Sequence, residues 1–272
     1  MIARVFPRRI KATTPDDALA FVGEPPLFVP DGIEKVLVSC LFTWDRKEAE
    51  RLARSWSRIA PVEIGGPAFD SPAGDFVPGM FVKTGYTITS RGCPNACWFC
   101  SVPKREGTIR ELPINDGWNL LDSNLLACSD AHIKSVFSML SRQDRRPEFT
   151  GGLEAMRLMP WHAKALRDIK AAQVFMAYDT PDDLPHLVTA GKILLDAGFT
   201  RASHDLRCYV LCGWKNDTEE KADIRMGEAI AAGFTPMAMA YRDEAGAVPV
   251  EWRRFQRKWA RPAIIHARGK KQ

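Results

Sequence analysis

Residues 197–242 read AGFTRASHDLRCYVLCGWKNDTEEKADIRMGEAIAAGFTPMAMAYR, and the four residues that open this stretch return near its end. Ala197-Gly198-Phe199-Thr200 and Ala232-Gly233-Phe234-Thr235 each place Gly where a helix should end and an apolar residue where a strand should begin, since Gly tolerates the left-handed cap conformation. Between the copies, 205–213 (DLRCYVLCG) has the apolar look of a buried strand, and Asp217 with Glu220 opens a helix running to Ala232. One strand and one helix per copy make a βα unit. The repeat alone fits a barrel or a flat parallel sheet.

Outward from this unit, short apolar runs alternate with longer amphipathic stretches. Six strands are expected, at 86–91, 118–122, 148–151, 173–179, 205–213 and 235–242. Ser129 caps a helix over 130–141, and Pro160 opens one through Ile169. Toward the N-terminus, 1–34 reads as Pro-rich and irregular and 35–44 as a strand. Asp45 and Glu48 form a capping-box-like start for a helix whose stripe is Ala49, Leu52, Ala53 and Trp56, and 62–65 is the next strand. The Gly- and Pro-dense 66–82 reads as a linker. The expected division is a small βαβ unit over 1–82, a βα core over 83–245 and a basic extension over 246–272.

The segment SRGCPNACWFCS, residues 90–101, places Cys93, Cys97 and Cys100 in the spacing C-x3-C-x2-C directly after the first strand of the core. Three thiolates on one loop suit three corners of an iron–sulfur cube. A cluster so held keeps one iron open to a small molecule, as catalytic metal sites keep a free position. A zinc knuckle closed by Cys128 or His132 is the competing reading. Cys208 and Cys212 lie on one face of a strand, four residues apart, and read with Cys40 as buried thiols. His132, His162, His186, His204 and His266 have no ligand spacing and read as surface or capping residues.

With Phe99 before the last cysteine, this motif resembles that of the radical S-adenosylmethionine (radical SAM) superfamily, over roughly 85–243. The resemblance implies an α/β fold, a partial (βα)6 TIM-like barrel, a 4Fe-4S cluster on the three cysteines and S-adenosyl-L-methionine as cofactor. It also implies an electron donor such as flavodoxin or ferredoxin. Reductive cleavage of SAM would give methionine and a 5′-deoxyadenosyl radical that takes a hydrogen atom from a substrate the sequence does not identify. The order of a small βαβ unit before the core resembles the cobalamin-binding branch. The unit is a reduced Rossmann-like version, for no histidine precedes His132 and the D-x-H-x-x-G cobalt motif is absent. Methylthiotransferases match poorly, since Cys40 is the sole N-terminal cysteine.

By the same resemblance, strand ends should hold SAM. Asp122, Asn124 and Glu154, the last in Gly151-Gly152-Leu153-Glu154, are joint candidates for the SAM amine or the substrate, or are helix N-caps. Asp179 is a candidate ribose or substrate contact, or a cap for Thr180-Pro181-Asp182. Arg207 would pair with the methionyl carboxylate or form a structural salt bridge. Gly213 ends the adenine-side segment, and Phe99 contributes through its backbone.

Composition bounds these readings. The chain has 272 residues, 46% hydrophobic and 26% charged, enough for one sizeable core with an appendage. No apolar run is long enough to cross a bilayer, and MIARVFPRRI lacks the apolar region of a secretion signal, so a cytoplasmic, non-membrane protein is expected. Eight of the 38 Lys and Arg residues fall in 253–272, where there is no acid, so the 33 Asp and Glu outnumber the other 30 bases. The basicity belongs to the tail. Trp252, Phe255, Trp259, Ile264 and Ile265 give its first part an apolar face expected to cover the open side of the barrel, with 267–272 free. A zinc-stabilised nucleic-acid-binding protein, contacting nucleic acid through the tail and Lys104-Arg105, is the second, disfavoured reading.

Overall fold

Backbone hydrogen bonding sorts the strands into two parallel sheets and one short antiparallel pair. The structure, a computed structural model, describes every residue except 11, 72–73, 244, 262–264 and 266–272. The expectations for Ile264, His266 and 267–272 lie outside the described residues.

The first sheet contains β1 (Ile2–Phe6), β2 (Ala20–Val22), β3 (Lys35–Ser39) and β4 (Val62–Gly65), in the order β2-β1-β3-β4, with helix α1 (Arg46–Trp56) joining β3 to β4. All its pairs are parallel. The expectation that 1–34 is irregular is therefore corrected, because β1 is one of the two inner strands of a four-stranded sheet. Its strand character is masked by Arg4, which is buried yet paired with Asp17 and donates to the Gly79 carbonyl at 3.0 Å. The capping box at Asp45 is corrected too: its carboxylate pairs with Arg8 instead of capping α1, and Glu48 binds Arg51. The stripe of α1 holds, with Ala49, Leu52 and Trp56 fully buried. Part of 66–82 joins this core, since Ala68 is buried in it and Phe69 packs against it.

The second sheet takes β5 (Tyr86–Thr87), β8 (Asn119–Leu120), β9 (Glu148–Phe149), β10 (Gln173–Tyr178), β11 (Leu206–Cys212) and β12 (Thr235–Ala240), all parallel and adjacent in chain order. A doubly wound sheet reverses its order at a switch point. This sheet has no reversal. The expected six strands are present but shorter at their ends. The segment 86–91 is divided, with β5 in the sheet and β6 (Ser90–Arg91) paired antiparallel to β7 (Arg110–Glu111) beyond the short helix α2 (Val102–Glu106).

Helices α3 (Asp130–Ser141), α4 (Pro160–Asp168), α5 (Leu184–Asp196) and α6 (Glu219–Ala231) connect the strands. Ser129 caps α3 as expected, accepting from the His132 amide at 3.3 Å. Thr218 caps α6, displacing the expected Asp217. The repeated Ala-Gly-Phe-Thr is one cap used twice. Gly198 and Gly233 have φ of 97° and 102°, and their amides donate to Leu195 and Ile230. The next amides, of Phe199 and Phe234, reach back to Leu194 and Ala229, the Schellman pattern. Only the second copy leads straight into a strand, since a single 3-10 turn (Arg201–Ser203) precedes β11.

Side chains along β11 alternate faces. Leu206, Cys208, Val210 and Cys212 are buried in the core formed with α5 and α6, while Arg207, Tyr209 and Leu211 point the other way and are partly exposed. Helix α7 (Val250–Trp259) lies on the edge strand β12. It buries Trp252, Phe255 and Trp259, and Gln256 donates to the Ala238 carbonyl at 2.8 Å. The core around β8 to β12 and α7 is separate from that around β1, β3 and α1. No helix among the described residues is long and apolar enough to cross a membrane.

Candidate cofactor site at the cysteine loop

Cys93, Cys97 and Cys100 lie on the loop that β6 and β7 clamp at its base. The Cys93 amide donates to the Gly107 carbonyl at 3.1 Å, and that of Cys100 to Cys97 at 3.1 Å. Two buried carboxylates fix the loop from below. Asp122, just beyond β8, accepts from the Thr89 amide (2.6 Å), the Thr89 hydroxyl (2.7 Å) and the Ser90 hydroxyl (2.6 Å). Glu106, at the end of α2, accepts from the Gly92 amide (3.2 Å) and the Ser123 hydroxyl (3.1 Å), with Arg91 and Arg105 at 3.5 and 2.9 Å.

The two carboxylates differ in charge environment. Burial raises the pKa of Asp122 even though Ser90 and Thr89 hydrogen-bond to it. Burial also works against ionisation of Glu106, but Arg105, the Gly92 amide and Arg91 outweigh it and hold the group below its ordinary value. With both oxygens engaged, Asp122 is a brace for the loop. That corrects its candidacy as a contact for the SAM amine, and the alternative of a helix cap with it. Glu106 carried no signal in sequence, because the loop groups it holds, the Gly92 amide and the Ser123 hydroxyl, lie 14 and 17 positions away and no local pattern marks them.

Asn124 and Glu154 do come together, from the ends of β8 and β9. The Asn124 side-chain amide donates to the Cys93 sulfur at 3.4 Å and to Glu154 Oε2 at 2.6 Å, and Arg157 Nε meets the same Glu154 oxygen at 2.6 Å. Asn124 Oδ1 is buried with no hydrogen-bond partner among the described residues. Gly151 has a packing role, for a Cβ there would lie 2.4 Å from the Asp122 carbonyl oxygen.

Asp179 follows β10 at the same end of the sheet. The turn it was expected to cap is closed instead by Asp183, whose carboxylate accepts from the amides of Asp179 (3.0 Å) and Thr180 (2.7 Å). Burial, then the Asp183 charge, push the Asp179 carboxyl up to about 6, against the Leu211 amide and Arg225. Its charge also reaches Cys97 and Cys100. Gly213 is absorbed by structure: its amide donates to Asp217 at 2.8 Å, and its Cα faces Trp252. Arg207 stands two inward-facing positions before Leu211, well below the strand ends. Phe99 meets Trp98 edge-on, with centroids 4.8 Å apart. Trp98, 51% exposed, stacks on Trp214 from the loop after β11 at 4.6 Å, and Trp214 meets Tyr241 at 4.3 Å.

No family model matches the chain, and no curated protein matches it. The donor set must speak for itself. Burial raises the pKa of Cys97 and Cys100, and the neighbouring thiols add to the rise. Three thiolates on one loop would repel one another. Among the described residues no three His, Cys, Asp or Glu side chains converge closely enough to hold a single ion. The thiols are therefore gathered on one loop without meeting at one point. Cys128 sits instead beside Ser90, Asp122 and Glu111, its pKa pushed up to about 11 by burial first. His132 stands 3.8 Å from Glu111. His132 and His162 are buried, not on the surface, and His162 meets the capping alternative, its Nδ1 accepting from the Met159 amide at the N-terminus of α4. Cys40, Cys208 and Cys212 are fully buried, as expected.

Proposed function

We propose that the chain is a radical SAM enzyme whose 4Fe-4S cluster is held by Cys93, Cys97 and Cys100. The observation that carries this reading is the three-cysteine loop at the end of the first strand of an in-order parallel sheet, with Asn124, Glu154 and Asp179 brought to the same end from the next three strands. Parallel α/β folds place chemistry at the C-terminal ends of their strands. The finer fold expectation belongs to the same proposal: the sheet is a partial (βα)6 barrel. The unreversed strand order supports it, as does the Trp98–Trp214 stack, which ties the loop of the first strand to that of the fifth.

A reduced cluster bound here would supply the electron that cleaves S-adenosyl-L-methionine to methionine and a 5′-deoxyadenosyl radical. The chain's own residues position and shield. Asp122 and Glu106 set the loop, and the Asn124 amide donates to the Cys93 sulfur, which orients it. Asn124 Oδ1 and Glu154 offer acceptors to the amine of SAM, and Asp179 offers one to a ribose hydroxyl. An electron donor such as flavodoxin or ferredoxin would approach the exposed Cys97 and Trp98.

Anaerobically purified protein should carry about four irons and four sulfides per chain and release 5′-deoxyadenosine from SAM under dithionite. Cys97→Ala should abolish both. Zinc without sulfide, or a Cys97→Ala variant that still cleaves SAM, would overturn the proposal.

A further inference from the structure

The inner face of the six-stranded sheet, opposite the helices, carries a second set of groups that the cysteine loop does not use. The ladder register places Phe175 beside Arg207 and Arg207 beside Thr235, then Ala177, Tyr209 and Met237 in the next inward-facing row, and Leu211 beside Met239 above them. Ala177 is exposed although β10 is an inner strand, and Met237 and Met239 are 36% and 44% exposed. The face is open. Phe175 and Tyr209 stack at 4.4 Å with an interplanar angle of 16°, and Tyr209 is held by its hydroxyl, which donates to the Thr150 carbonyl at 3.3 Å.

Arg207 lies over this pair, its guanidinium carbon 5.8 Å from the Phe175 ring. It has no ion pair among the described residues, and its Nε is buried without a partner. The carboxylates at that end of the sheet are engaged elsewhere, Glu148 by Asn119 (2.8 Å) and Asp205 by Arg146 (3.5 Å). A partly desolvated guanidinium without a counter-ion is held at a cost. A planar anion with two acceptor oxygens is the group that satisfies it.

We infer that the floor of this inner face is a subsite for an anionic group, a carboxylate or a phosphate, carried on a flat or apolar body that packs on Tyr209, Met237 and Met239, with the buried Phe175 backing Tyr209. Four residues separate Arg207 from Leu211, about 13 Å of strand, so the anion binds well below the cysteine loop. This also moves Arg207 from the methionyl carboxylate to the substrate. The assignment rests on the enzyme reading only for what the bound molecule is used for.

The test is a titration of the full-length protein, labelled with carbon-13 at the methionine methyls, with phenyl phosphate, 3-phenylpropionate and inorganic phosphate in separate arms. The Met237 and Met239 resonances should shift saturably with at least one aromatic probe, while Met226, buried in the core, stays still. A response to phenyl phosphate alone assigns phosphate, and one to phenylpropionate alone assigns carboxylate. Arg207→Met should weaken the response at least tenfold and Arg207→Lys less. No saturable shift in the wild-type protein, or an undiminished one in Arg207→Met, overturns the subsite. So does displacement of the probe by SAM, which would return Arg207 to the cofactor. Absence of SAM cleavage by the wild-type protein bears on the enzyme reading alone and leaves this titration intact.

Discussion

Asp122 and Glu106 show how little of a site's support is visible in sequence. The cysteines announce themselves by spacing, yet the loop that presents them is set by two carboxylates whose partners lie tens of positions away or on another element. Partners that orient metal ligands are worth roughly 10–100-fold in metal affinity. Asp122→Asn and Glu106→Gln should therefore each lower iron retained after desalting by that order while the protein stays folded, and an unchanged iron content would remove the bracing role. Asp179 gives a pH signature. Its folded pKa of about 6 lies above the ordinary aspartate value of 3.8, so its contribution to stability is fully present below about 3.8 and lost as pH rises through about 6. At one pKa unit per 1.36 kcal/mol, the loss between pH 4 and 7 is up to about 3 kcal/mol. Asp179→Asn should flatten that slope in denaturant melts of the metal-free protein and make it more stable at pH 7.5. A slope unchanged by the substitution would contradict the burial argument.

Elements were legible in proportion to how locally they are determined. Helix α3 and its Ser129 cap, the six-strand count and the repeated Gly-Phe stop can all be read from neighbours within a few positions. Strands β1 and β2 could not be, because β1 buries a charged Arg4 whose partners come from 17 and 79. The division of 86–91 was hidden for a related reason: Ser90 and Arg91 pair with 110–111 across the cysteine loop, a contact no period reveals. Helix–helix approach is equally silent in sequence. A Cβ on Gly191 of α5 would lie 1.9 Å from the Ala232 carbonyl oxygen after α6. In an exposed helix Gly→Ala stabilises by up to about 1 kcal/mol. Here the clash reverses the sign, and Gly191→Ala should destabilise by about 1–3 kcal/mol, read as a lower urea midpoint with an unchanged slope.

For the whole molecule, the basic C-terminal segment tests whether charge or packing explains it. Helix α7 turns Trp252, Phe255 and Trp259 onto β12 and the loop after β11, and leaves Arg253, Arg254 and Arg257 exposed. Trp259 Nε1 and Lys258 both reach Asp223 of α6 at 3.1 Å and Gln256 reaches the Ala238 carbonyl of β12 at 2.8 Å, so the helix is fastened at two places along the last βα unit. An edge strand left bare offers unpaired backbone groups to other chains, and covering it with a helix is one way proteins avoid that. On this account the aromatics carry the stability and the arginines keep the covered edge soluble. Phe255→Ala should cost about 3–5 kcal/mol, whereas exchanging Arg253, Arg254 and Arg257 together for Gln should change unfolding free energy by no more than about 0.5 kcal/mol per site. Loss, in the same triple Gln variant, of a strongly salt-dependent affinity for single-stranded RNA or DNA that the wild-type protein shows would instead make the segment a nucleic-acid contact.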